Sequence, residues 1–373
     1  TGANLTSANL TNADLNGANL SNADLSSASL TGTNLYAVKL TGADLSNVKS
    51  GEIKGPTNSL PTNWKLIEGY LIGEFADLTG AKLTNADLSG ADLSSANLNN
   101  TDLSGANLAN ADLSYADLYA VQSGGITGAP NVLPTDWQLS NGYLIGPTAD
   151  LSGANLAGAD LTGASLSDAN LAGANLTKAS LRDANLFHAS LPRADLTNAN
   201  VRDAKLGGTD LTDATLFGAN LSGADLNGAN LAGADLTGAK LTSVKLSNAD
   251  LSNAELSGVQ SGGITGASNV LPTDWQLIKG YLIGPGANLT GADLTGENLA
   301  YANLRYANLH NASLFDTNLA GADLFGVQSG RIVGTPNVLP TDWQLIKGYL
   351  IGPGANVPGV DLTGENLADA NLR

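Results

Sequence analysis

Two histidines, His188 and His310, and thirty-four carboxylates are the side chains of this 373-residue chain that could do acid–base or metal chemistry. No cysteine is present, which removes thiol nucleophiles, zinc–thiolate sites and disulfides. Nucleophilic or metal chemistry needs partners held within bonding reach of a histidine. Neither His188 nor His310 has such a partner at a useful spacing, and both are read as surface decoration. The aspartates are spread along the chain rather than clustered, and the Gly-Gly-x-Gly-x-Asp calcium repeat is absent. Weak calcium binding by stacked aspartates is the alternative reading. The stretch "SGGITG" (123–128) is Gly-rich, but it lacks the lysine and following helix of a phosphate loop. The expectation is therefore no enzyme, no cofactor, no metal and no small-molecule substrate.

The elements that would position any such group must come from an unusual composition. Only 14% of residues are charged and 5% aromatic, while glycine numbers 45. The formal charge of −17 disfavours nucleic acid and anionic membrane surfaces as partners, and favours solubility or a basic partner. No apolar run reaches the length of a membrane span. There is no methionine, even at position 1, so the chain is expected to be part of a longer translation product.

Leucine recurs every fifth residue in tracts from Leu5 to Leu45, Leu78 to Leu118, Leu151 to Leu256, Leu289 to Leu324 and Val357 to Leu372, giving 52 pentads. Only Val201 and Val357 replace it. Alanine lies two residues earlier, except at Thr33, Val38, Thr101, Thr209, Val244, Glu297, Thr317, Val360 and Glu365. The residue between them is Asn or Asp in 40 of the 52. Five matches neither the helical period of about 3.6 nor the strand period of 2. Asn, Asp, Ser, Thr and Gly at more than half of all positions disfavour helix. A regularly turning chain is expected, with Ala and Leu inward and the polar residues outward.

Phrases such as "GADLTGAKL" and "GANLAGADL" resemble the A(D/N)LXX signature of the pentapeptide-repeat family. That resemblance implies an all-β fold, a right-handed quadrilateral parallel β-helix with about four pentads per coil. It also implies one solenoid domain over 1–373. Counting two face-like steps per insert, the expectation is about 15 coils and a length of roughly 70 Å at ~4.8 Å per coil.

Four inserts interrupt the repeat, at about 51–72, 124–145, 262–283 and 330–351, and each separates its flanking pentad centres by 33 residues. In "WQLSNGYLI" two apolar triplets flank a Gly-containing turn, which reads as a β-hairpin. Asn141-Gly142 suits a type I′ turn. Glu68-Gly69, Lys279-Gly280 and Lys347-Gly348 suit a type I turn with a G1 bulge. Trp64, Trp137, Trp275 and Trp343, with Tyr70, Tyr143, Tyr281 and Tyr349, are expected to anchor each hairpin on the outside of the coil. The alternative is a ring of exposed aromatics for a sugar or protein partner. The steps between inserts do not divide evenly by four, so all four hairpins are not expected on one face. Glu297 and Glu365 occupy the inward alanine position, where an unpaired carboxylate is costly. Lys279 is expected to pair with Glu297, and Lys347 with Glu365. Arg182 and Arg202, one coil apart, are expected beside Asp183 and Asp203.

Inserts of this kind resemble those in pentapeptide-repeat proteins of cyanobacteria and other bacteria. The functional expectation is a structural or protein-interaction rod. Bare pentads at both ends suggest end-to-end self-assembly into an extracellular filament or sheath, with a cytoplasmic setting as the alternative. Partners would be further copies or another protein, without nucleic acid or membrane insertion. A second reading follows from the family, some of whose members mimic DNA and bind type II topoisomerases. Its charge density fits poorly, at about one net charge per 4 Å against one per ~1.7 Å for duplex DNA, and Lys178, Arg182, Arg193, Arg202 and Lys205 break any acidic stripe. Ice or mineral binding by outward Ser/Thr rows is the least favoured.

Overall fold

The computed structural model describes residues 2–367. Its contacts fall into two units, Thr1–Ala154 with Ala164–Leu171, and Asn155–Gly163 with Ala172–Arg373. Each is a right-handed quadrilateral β-helix, and no helix among the described residues is long and apolar enough to cross a membrane.

The pentad explains itself locally. Ala, Asn/Asp and Leu are extended, so the first and third side chains point inward and the second outward. The next two residues turn the corner. The Ala8 N–H donates to Leu5 O at 2.9 Å and Ser7 sits at φ 58°, a type II turn. That turn needs φ > 0 at its third residue, which is why Gly, Asn, Asp and Ser crowd that position. Parallel bridges join residues twenty apart, Asn4 to Asp24 to Asp44 in the first unit and Thr215 to Asp235 to Glu255 in the second. Four pentads therefore close one coil.

The Asn/Asp preference has a mechanism beyond polarity. Asn4 Oδ1 accepts the N–H of Thr6 at 3.0 Å, and Asp24 Oδ1 accepts that of Ser26 at 3.0 Å. Repeated from pentad to pentad, this cap satisfies the first corner N–H. Some amides also tie successive coils, as Asn34 Nδ2 does to Asp14 Oδ1 at 2.9 Å.

Thr33, Thr101, Thr209 and Thr317, which stand at alanine positions, are all fully buried. Each hydroxyl donates to a leucine carbonyl 23 residues back, Thr101 to Leu78 O at 2.8 Å and Thr209 to Leu186 O at 2.9 Å. Leu78 O also accepts the Ala81 N–H, so the hydroxyl uses that oxygen's second lone pair.

Among the described residues, longer antiparallel strands occur only in the inserts: β1 (Lys65–Ile67) with β2 (Tyr70–Ile72), β3 (Gln138–Ser140) with β4 (Tyr143–Ile145), β7 (Gln276–Ile278) with β8 (Tyr281–Ile283), and β9 (Gln344–Ile346) with β10 (Tyr349–Ile351). A parallel pair, β5 (Lys240–Thr242) and β6 (Gln260–Gly262), extends one ordinary ladder. All four hairpins have two-residue loops with both φ values positive, 49° and 78° at Glu68-Gly69 and 50° and 77° at Lys279-Gly280. The turns at Glu68, Lys279 and Lys347 are thus type I′, not type I with a bulge, because the pairing of Ile67 with Tyr70 leaves no extra residue. Asn tolerates this conformation better than Glu. Glu68→Asn is expected to raise stability by about 0.5–1 kcal/mol, read as a slower hydrogen exchange of the Ile67 and Tyr70 amides.

Each insert also advances the solenoid further than two steps. In the first, Lys49, Lys54 and Ser59 continue the bridges from Ser29, Asn34 and Lys39, the hairpin takes the fourth side, and Lys49 then pairs with Asp77. The enlarged coil spans 28 residues, as between Gln122 and Asp150 in the second insert. Within the first unit the two hairpins therefore stand on adjacent sides. Within the second unit, hairpins three and four share one side.

The hairpins do not sit on the outside of the coil. Leu71 and Ile72 are fully buried, but in different cores. Leu71 joins the cluster of Leu25 to Val48 and Ile53, while Ile72 joins that of Ala76 to Ile126. Adjacent strand residues point to opposite faces, so β2 lies across the bore like a partition.

Candidate functional site

Ser50, Ser123, Ser261 and Ser329 fill leucine slots at the start of the inserts. Each hydroxyl oxygen accepts the N–H of the hairpin leucine, Leu71, Leu144, Leu282 or Leu350, at 2.9 Å. The hairpin carbonyls of Gly69, Gly142, Gly280 and Gly348 accept the N–H groups of Ile53, Ile126, Ile264 and Ile332. One module is thus built four times.

Trp64, Trp137, Trp275 and Trp343 are half-buried. Their indoles lie flat on Gly73, Gly146, Gly284 and Gly352, where a Cβ would fall 2.1–2.3 Å from a ring carbon. Tyr70, Tyr143, Tyr281 and Tyr349 pack their rings on Gly51, Gly124, Gly262 and Gly330. The Tyr70 hydroxyl accepts the Lys82 N–H at 3.1 Å, and that of Tyr281 accepts the Asp293 N–H at 3.3 Å.

The two lysines differ in partner. Lys347 Nζ lies 3.1 Å from Glu365 Oε1 and also donates to Thr363 O at 3.3 Å. Lys279 does not pair with Glu297; its Nζ is 2.9 Å from Asp293 Oδ2. Asp293 is the exposed central residue of its pentad, whereas the half-buried Glu297 stands at the alanine position of the next. The Thr295 side chain, then Lys279, then the Thr295 N–H hold the Asp293 carboxyl down at about 2. A carboxyl depressed in the folded state contributes stability above its unfolded value near 3.8, and that contribution is lost as pH falls toward 2. In Lys279→Gln, carbon-13 titration of the Asp293 carboxyl is expected to show its midpoint moving up toward the ordinary range.

The two histidines have different surroundings. His188 stacks on Phe187 at 3.9 Å between centroids and covers Gly208. His310 lies by Gly330 and Tyr349 in a recess that also includes Gln328 and Ser329. Arg182 pairs with Asp183 at 3.2 Å and Arg202 with Asp203 at 3.0 Å, exposed contacts worth little each. Among the described residues no three His, Asp or Glu converge on a metal position.

Sequence reasoning missed a set of corner tyrosines. Tyr115, Tyr301 and Tyr306 all adopt φ 59°, where Gly or Asn is the norm, and are 87%, 83% and 58% exposed. A signal for two of them was present: glycine follows twenty residues later, and the rings of Tyr301 and Tyr306 cover Gly321 and Gly326. Beside Tyr306, Arg305 Nη1 donates to Asp323 at 3.0 Å while its guanidinium lies 4.6 Å from the Phe325 ring.

No curated protein matches the chain. Among solved structures, the Arabidopsis thaliana thylakoid-lumen pentapeptide repeat protein is 32% identical over 27% of this chain and 68% of its own, with a TM-score of 0.24. HetL, a pentapeptide repeat protein involved in heterocyst differentiation regulation in the cyanobacterium Nostoc sp., is 29% identical over 62% of this chain and 86% of its own, at TM-score 0.24. The plasmid-mediated fluoroquinolone resistance protein QnrB1 is 21% identical over 51% of this chain and 85% of its own, at TM-score 0.28. The Pentapeptide repeats family matches in eight copies, at residues 8–47, 74–108, 86–121, 149–186, 179–218, 194–231, 219–258 and 298–327. With more than half of its length matched and the coil geometry to go with it, the chain belongs to the pentapeptide-repeat family.

Proposed function

We propose that this chain is a non-enzymatic structural scaffold that associates with further copies of itself or another protein through aromatic residues at its corners. Members of the family are generally structural or interaction proteins. The observation that carries the reading is the exposure of the rings of Tyr115, Tyr301 and Tyr306 at corners that hold φ near 59°. A left-handed conformation costs an ordinary L-residue roughly 1–2 kcal/mol; the Tyr115 ring, 87% exposed, recovers little of that in the free protein, while those of Tyr301 and Tyr306 recover part of it over Gly321 and Gly326. Such strain is commonly kept where function uses it, and Tyr and Arg are the residue types that dominate binding interfaces. Many central Asn and Asp side chains are engaged in capping corners or tying coils together. A cysteine-free and methionine-free composition supports an extracellular or cell-surface setting. The basic run from Lys178 to Lys205 weighs against DNA mimicry.

The test compares the chain with the triple variant Tyr115→Gly/Tyr301→Gly/Tyr306→Gly in sedimentation velocity over a wide concentration range. The variant is expected to melt at the same temperature or higher, because the corners relax, and to lose self-association that the parent shows. Association identical in both, or turnover of ester, phosphate or glycoside substrates by the parent, would reject the reading.

A further inference from the structure

We infer that each hairpin is an internal cap, so that the stretches of solenoid it separates open as distinct cooperative segments. The inference rests on how differently ordinary junctions and insert junctions are joined. Between the coils starting at Asp77 and Asn97, backbone bonds run on all four sides: Leu78 to Asn97, Leu83 to Asp102, Leu88 to Asn107 and Leu93 to Asp112 in one direction, with four reciprocal bonds. Across the first insert only one side keeps them, through Asp77 N–H to Val48 O and Asn47 N–H to Phe75 O. The second insert repeats this with Asp150 to Val121 and Ala120 to Thr148. In the second unit the third insert has Asn288 to Val259 and Gly258 to Gly286, and the fourth Asn356 to Val327 and Gly326 to Gly354.

On the other sides the hairpin replaces the missing coil. The cross-strand pair Leu66 and Leu71 seals the preceding core, and Ile67 and Ile72 seal the following one. The open edge below is closed by side chains: Tyr70 takes the Lys82 N–H, and Lys65 Nζ donates to Ser89 O at 2.6 Å. These are the tasks of a terminal cap, which covers an apolar bore and occupies unpaired backbone groups. Coupling in a solenoid is between nearest neighbours. A junction with one continuous ladder, and two buried cores that share no member and are touched in common by the half-buried Trp64, is therefore where cooperativity should break.

Two adjacent residues make the test. Hydrogen exchange of the full-length chain, read by mass spectrometry under native conditions, is compared for Leu71→Ala and Ile72→Ala. Leu71→Ala is expected to accelerate exchange about thirty-fold or more in peptides from 25–48 and less than about threefold in peptides from 78–118. Ile72→Ala is expected to do the reverse. Equal acceleration on both sides in both variants would show one cooperative unit and overturn the inference. Should an alanine variant fail to fold, Leu71→Val and Ile72→Val make the same comparison with smaller cavities, and the same side-selectivity decides it.

Discussion

Leu98→Ala is expected to cost about 2–5 kcal/mol of local stability. Leu98 is fully buried in the first unit, and its side of the coil is bridged through Asp77, Asn97 and Asp117. Leu78 and Leu118 therefore stack directly before and after it along the bore. Both are pinned by backbone bonds of their own coils, so neither can slide into the space left behind, and the cavity persists. Exchange of the Leu98 and Asn97 amides, which donate to Asp117 O and Ala76 O, should accelerate at least about thirty-fold. The effect should fade within a few coils, because each coil touches only its neighbours. A change below about threefold would show that the leucine ladder is not what holds these coils together.

Gly146→Ala is expected to dislodge Trp137 and cost about 1–3 kcal/mol. The backbone is not the obstacle, since Gly146 lies outside the left-handed region. A methyl group there would sit 2.1 Å from Trp137 Cδ2 and 2.5 Å from Cε2, so the indole must leave. The expected readouts are a red shift in the fluorescence of one of the four tryptophans and a lower midpoint of unfolding. A double-mutant cycle isolates the cause: in Trp137→Ala, adding Gly146→Ala should cost almost nothing further. Full additivity would mean that the glycine serves something other than the indole. The same contact recurs at Gly73, Gly284 and Gly352, so each hairpin offers an independent repetition.

Much of this architecture was legible because the pentad is a local device. Extended Ala, Asn/Asp and Leu followed by a two-residue corner needs no distant partner to be recognised, and the inward leucines follow from strand alternation alone. The hairpins were equally local, their apolar triplets separated by Glu-Gly, Asn-Gly or Lys-Gly. Legibility was weakest where the answer depended on what a residue meets in another coil, although the Lys347–Glu365 pair was legible. The Asn/Asp column could be counted, yet its cap on the corner N–H appears only when the turn is built. The four buried threonines looked like exceptions, and each proves to reach a carbonyl in the preceding coil. The same insert spacing points Lys279 to Glu297 and Lys347 to Glu365, yet Lys279 meets Asp293, whose exposed carboxylate lies 2.9 Å away, while Lys347 does meet Glu365.

Periodicity along one chain therefore determined the coil, its lining and its corners, since these repeat with the residues that make them. What the chain could not declare was that β2 runs through the bore instead of over it. A three-residue strand alternates sides wherever it is placed. Only the stacking of coils above and below reveals that Leu71 and Ile72 face two different cores.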